Sequence, residues 1–138
     1  MGLETAWKYA WIHSTDGALT TADEARQFVQ ATGVDALAPP IGNRHGMSRS
    51  MVEGSSRKHL DLARVAEIKA GAGCFLTLPG GSGTADRDLV GAIHAGINLI
   101  HVNTELRVAW RRGLEKDLAD SSEVVPYKIL PPGGDCGR

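Results

Sequence analysis

The chain has little of what marks secreted, membrane or nucleic-acid-binding proteins. Cysteine is scarce. Only two occur in 138 residues, Cys74 in an apolar run and Cys136 in a Gly-rich tail, and they share no framework spacing. That excludes a disulfide scaffold and points to a reducing cytoplasm. Long hydrophobic runs are missing too, and no stretch approaches the ~20 apolar residues that a membrane span needs. Met1 to His13 carries one lysine and no apolar core, so it reads as neither signal peptide nor anchor. There is no Lys/Arg cluster, and the net charge of −1 implies no nucleic-acid, anionic-membrane or other strongly charged partner. The densest basic spot, Arg107, Arg111 and Arg112, sits at helical spacing and reads as a solvated helix face. No sequence repeat or internal domain boundary is visible.

What is present is a regular alternation of helix and strand. Thr21 and Glu24 form a capping box. Ala25, Phe28, Val29 and Thr32 recur at the helical period, and Gly33 suits a left-handed stop, giving a helix over about 22–32. Val34 to Ala38 is a short apolar run ending at Pro39-Pro40, a buried strand. Ile41 to Lys58 has no period and reads as a long, functional loop. Asp61 caps a helix burying Leu62, Val65 and Ile68, closed by Gly71 and Gly73. Cys74 to Leu78 is a second strand. Thr84 opens a helix with Asp86 and Asp88 in its first turn and Leu89, Ala92 and Ile93 on its buried face, stopped by Gly96. Ile97 to Val102 is a third strand. A last helix begins near Thr104 and buries Leu106, Trp110, Leu114 and Leu118. The tail from Val124 is rich in Pro and Gly.

Strands without alternation, each followed by an amphipathic helix, predict an α/β fold with a helix-covered parallel sheet. Residues 1–15 stand outside this pattern, although Trp7, Tyr9 and Trp11 at period two would suit a further strand. Three or four strands cannot close a parallel barrel of eight strands and about 250 residues. The alternatives are a small open sheet, half of an assembled barrel, or an incomplete gene product.

Three segments can carry chemistry. In LTLPGGSGTAD, Leu76 to Asp86, a buried strand runs into Gly80, Gly81, Ser82 and Gly83 and then a helix. Glycines allow close backbone approach and the new helix offers N–H groups, so a phosphate oxyanion fits; a plain strand-to-helix turn is the alternative. No Lys follows the glycines, so this is not a P-loop. One unit later Asn103 and Thr104 occupy the corresponding junction, and paired loops after consecutive barrel strands commonly hold phosphate. Either residue would also serve as a helix cap. His45, in GNRHG after the first strand, is a candidate metal ligand or acid/base, or simply an exposed loop histidine. His13, His59 and His94 have no such setting.

The stretches TTADEARQFVQATGVDALAPPIGNRHG, LDLARVAEIK, FLTLPGGSGTADRDLVGAIHAGI and HVNTELRVAWRRGL, in this order, resemble class II fructose-bisphosphate and tagatose-bisphosphate aldolases. The resemblance runs from about Asp16 to Lys128. It implies that 16–138 is the C-terminal half of a TIM barrel, roughly its last three to four βα units. The implied activity is reversible, zinc-dependent aldol cleavage of a ketose bisphosphate to dihydroxyacetone phosphate and an aldehyde, a lyase reaction of carbohydrate metabolism and glycolysis. The family is usually dimeric or tetrameric, so a homo-oligomer is implied.

By that resemblance His45 is a zinc-binding histidine. Gly46, Gly80, Gly81, Ser82, Asn103 and Thr104 contact substrate or phosphate. Carbonyls near Gly46, and Ser82, help hold a monovalent cation in some members. Two positions depart from the family. Pro79 stands where another zinc histidine is expected, and proline supplies neither a ligand nor an N–H. His101 stands where the family usually has asparagine, as a substitute ligand or as a packed interior histidine. The family's remaining zinc histidine and its catalytic aspartate belong to the N-terminal half, so no catalytic residue is assigned here. The implied function is that of an aldolase homologue, truncated or divergent, with impaired catalysis. The alternatives are a non-catalytic phosphosugar-binding half barrel and a partial gene product.

Overall fold

The computed structural model describes residues 8–12 and 18–120. Trp7, His13, Cys136 and the tail from Val124 lie outside them. The described elements are β1 (Tyr9–Trp11), α1 (Ala22–Thr32), β2 (Ala36–Ala38), α2 (Arg49–Val52), α3 (Leu62–Ala72), β3 (Phe75–Leu78), α4 (Asp86–Ala95), β4 (Ile97–Ile100) and α5 (Thr104–Asp120). The predicted strands and the four longer helices are all present, and the Tyr9/Trp11 segment is indeed a strand. Inside the loop Ile41 to Lys58 the single turn α2 was not foreseen; the Ser48 hydroxyl caps it by accepting from Met51 N–H.

Local chemistry sets the helix ends. Thr21 and Glu24 exchange hydrogen bonds in the predicted capping box, and Gly33 closes α1 at φ 64°. Asp61 accepts from Arg64 N–H to start α3, and Gly73 ends it in the left-handed region. α4 begins at Asp86, two residues later than the Thr84 start expected. The reason is tertiary: Lys58 N–H donates to Gly83 O and Ala85 N–H donates to Lys58 O, which holds this stretch extended.

All four strands are parallel, in the order β1-β2-β3-β4. Tyr9 pairs with Ala36, Ala36 with Phe75, and Leu76 with Ile97, before the register shifts between Leu76 and Thr77. At that shift the Asn98 side-chain oxygen accepts from Leu76 N–H, replacing a lost ladder bond.

Alternation along the strands separates two faces, and the register shift at Asn98 turns Leu99 to the face opposite Ile97. Leu37, Leu76, Leu78 and Ile97 point to one side, where they form a core with Ala25, Val65, Ile68, Ala72 and Ala92 of α1, α3 and α4. Tyr9, Trp11, Phe75 and Leu99 lie on the other face and are 37–52% exposed. Among the described residues, then, helices cover one face only. Two expectations fail here. Ile93 of α4 is 54% exposed, and on α5 Leu106, Trp110 and Leu118 are 55–62% exposed, with Leu114 half-buried. Periodicity found the apolar stripes correctly, but no described element packs over them.

Candidate functional site

The loops after β2, β3 and β4 meet at the C-terminal end of the sheet. After β3 the chain turns at Pro79 and Gly80. The Asn43 amide donates to Pro79 O at 3.1 Å while its oxygen accepts from Ile41 N–H. Gly80 has φ 70°, and a Cβ there would sit 2.6 Å from Arg44 O, so only glycine lets these two loops touch. Gly81 N–H donates to His101 O and His101 N–H donates to Leu78 O, extending the β3–β4 pairing into the loops.

Ser82 is buried, 2% exposed. Its hydroxyl oxygen accepts from Asn103 N–H at 3.1 Å and from Glu105 N–H at 3.4 Å, at the start of α5. A hydroxyl that accepts twice still has its proton to donate. Gly83 N–H donates to the Glu105 carboxylate at 2.8 Å. The two junctions are thus one hydrogen-bonded unit. Within it, the backbone N–H groups of Ser82 and Thr104 donate to nothing among the described residues. Gly80, Gly81, Ser82, Asn103 and Thr104 therefore come together as a cradle with donors to spare.

Sequence reasoning missed Lys58 here. The side chain reaches back from the segment before α3, and its ammonium is surrounded by four carbonyl oxygens that share its three N–H groups: Arg44 at 2.5 Å, Gly46 at 2.6 Å, Ser82 at 2.7 Å and Gly80 at 3.1 Å. The Gly46 and Ser82 carbonyls, which the resemblance gives to a monovalent cation, hold this ammonium instead. Lys58 is 7% exposed. Burial pushes its pKa below the ordinary lysine value, the Glu105 carboxylate acts the other way, and Arg44 adds to the lowering. No local pattern around Lys58 signals this role, because every acceptor comes from a loop 12–24 residues away.

The His45 and His101 rings meet aromatic side chains instead. His45 is exposed and stacks flat on Trp11, with ring centroids 5.0 Å apart and an interplanar angle of 2°. Trp11 meets the Tyr9 ring edge-on at 6.2 Å, and Tyr9 is 6.4 Å from the His101 ring. The Tyr9 hydroxyl accepts from Thr77 Oγ1. His101 is exposed, not packed in an interior, because the sheet face beneath it is bare. Among the described residues no three His, Cys, Asp or Glu side chains gather as a metal-holding group. A catalytic zinc normally takes three protein ligands and an open position. These residues do not fit that need.

Two solved aldolases share this fold. A solved aldolase from Escherichia coli K12, YdjI, superposes with a TM-score of 0.70 at 29% identity, over 88% of this chain and 42% of that one. Fructose-bisphosphate aldolase from Campylobacter jejuni superposes with a TM-score of 0.63 at 17% identity, over 80% of this chain and 35% of that one, a likeness of fold. The chain spans less than half the length of either structure. Its parallel βα units are therefore part of the aldolase TIM-barrel architecture. The family model for class II fructose-bisphosphate aldolase matches residues 4–136, and the chain belongs to that family.

Proposed function

We propose that this chain carries the phosphate-holding side of a class II aldolase site. Its ligand is the phosphate of dihydroxyacetone phosphate or of a ketose bisphosphate, and the reaction of the complete site is reversible aldol cleavage. The observation that carries this reading is the buried Ser82 hydroxyl joining two βα junctions, with the N–H groups of Ser82 and Thr104 left to donate. Glycines at Gly80 and Gly81 let a phosphate approach the backbone, and the first turn of α5 adds a favourable field. In the family zinc polarises the ketone. Here His45 alone, with Pro79 at a ligand position, leaves that half of the chemistry incomplete. The chain by itself binds zinc weakly and turns over little or no fructose 1,6-bisphosphate. The reading further takes the protein to work in the cytoplasm as a homo-oligomer.

Titrating the purified chain with dihydroxyacetone phosphate while following its amide NMR signals tests the binding. Gly80, Ser82 and Thr104 should shift at millimolar ligand without metal, and Ser82→Ala should abolish the response. Unmoved signals would sink the proposal. A full zinc equivalent together with aldol turnover would overturn the claim of impaired catalysis.

A further inference from the structure

We propose that the Lys58 ammonium is a tethered cation that closes a carbonyl cage and locks the β2 and β3 loops together, so that no dissolved monovalent ion is needed there. Four backbone carbonyls, from Arg44, Gly46, Gly80 and Ser82, converge on one nitrogen within 3.1 Å. An ammonium has three donors. Four acceptors at these distances therefore form an ion-coordination shell, in which carbonyl dipoles face one charge and replace its water.

The carbonyls need such a charge. They belong to two separate loops, Arg44 and Gly46 after β2, Gly80 and Ser82 after β3. With nothing between them, their oxygens would repel one another, and the Ser82 carbonyl would stand unsatisfied in a buried place. Gly80 shows how close the loops come, since an added Cβ would lie 2.9 Å from Arg44 C as well as 2.6 Å from its oxygen. The chain also prepares the lysine. Its backbone is clamped on both sides, N–H to Gly83 O at 2.8 Å and O from Ala85 N–H at 3.0 Å, in an isolated parallel bridge with Thr84. With its backbone fixed, the side chain has fewer arrangements to give up. Lys58 is thus a positioning residue for the Gly80–Gly83 turn. The cage stands whether or not phosphate is what the neighbouring cradle binds.

Thermal melts of the full chain test this at constant ionic strength in choline, potassium, sodium or ammonium chloride. The wild-type midpoint should be the same in all four salts. Lys58→Ala should lose about 5 °C or more in choline, and a small monovalent cation should restore at least half of the loss with saturating dose dependence. Lys58→Met, whose neutral stem fills the same space, should lose stability without rescue. A wild type sensitive to the identity of the cation overturns the proposal. So does a Lys58→Ala protein that loses nothing, or one that folds but that no cation restores. Should Lys58→Ala fail to fold in every salt, acetylation of the wild type decides. Lys58 should react on the order of tenfold more slowly than exposed Lys116, because reagent access requires local opening. Equal rates would overturn the proposal, and protection would sustain it.

Discussion

The two sides of the aldolase-like end of this sheet are built from different material. On the cradle side three side chains, the Lys58 ammonium, the Ser82 hydroxyl and the Glu105 carboxylate, each tie to backbone groups: carbonyls of Arg44, Gly46, Gly80 and Ser82, N–H groups of Gly83, Asn103 and Glu105. On the histidine side the contacts are rings, His45 on Trp11, Trp11 against Tyr9, Tyr9 near His101, all exposed at the bare sheet face. The cradle depends on a few anchoring side chains and on glycines where loops touch, while the groups it offers to a ligand stay on the backbone. A ligand set fails when one side chain changes. Pro79 shows both rules at one position: it provides no ligand, yet its carbonyl still accepts from Asn43 and keeps the turn in place.

The strongest way to break this contrast is to add one methyl group to the cradle. Gly80→Ala places a Cβ 2.6 Å from Arg44 O on a residue with φ 70°. The left-handed backbone and the clash together should cost about 2–4 kcal/mol. His45→Ala, at an exposed ring, should change stability by less than ~0.5 kcal/mol. Urea unfolding of both variants measures the difference. Similar midpoints for the two would erase the distinction drawn between the sides.

A second prediction concerns the joint next to Lys58. Asp88, at the start of α4, accepts from Leu60 N–H at 3.0 Å and lies 2.9 Å from His59 Nδ1. The Leu60 N–H, then the His59 and Arg87 contacts, hold its carboxyl below the ordinary aspartate value, against an opposing effect of burial. A depressed folded-state pKa means stability that is fully present above the unfolded value of about 3.9. It is lost as pH falls from there through the lower folded value. Asp88→Asn should therefore remove about 1.5–3 kcal/mol at neutral pH and flatten the acid limb of a stability-versus-pH curve. An unchanged acid limb would show that this carboxylate does not anchor the segment that delivers Lys58.

Features fixed by near neighbours were legible before the fold was known. The Thr21/Glu24 box, the Asp61 cap and the left-handed glycines at 33 and 73 are settled within a few residues, so α1 and α3 came out with the bounds expected. The glycine-serine turn after β3 was legible for the same reason. What failed depends on distant partners. The stripe of Leu106, Trp110 and Leu118 is real, but periodicity names an apolar face without naming what covers it. The start of α4 moved because Lys58 pairs with Gly83 and Ala85. Lys58 itself, flanked by Arg57 and His59, looks like any surface lysine until two loops close around it.

The smallest effect separates an anchor from a rival within the cradle. The Glu105 carboxylate accepts from Gly83 N–H at 2.8 Å, so it takes a donor that an incoming phosphate could use and sets a negative charge beside it. Glu105→Gln keeps an acceptor for Gly83 and removes the charge. Glu105 is exposed, and relieving one like-charge contact across about 4 Å of water is worth about 1 kcal/mol, so inorganic phosphate should bind about fivefold more tightly. The gain should shrink as salt is raised, because exposed charges are screened within about 10 Å at 0.1 M ionic strength. Calorimetric titration at low and high salt checks both parts. Unchanged or weaker binding would make Glu105 only a tie between the Gly83 turn and α5. Tighter binding that fades with salt would show that the cradle holds its own carboxylate in the place of a phosphate oxygen.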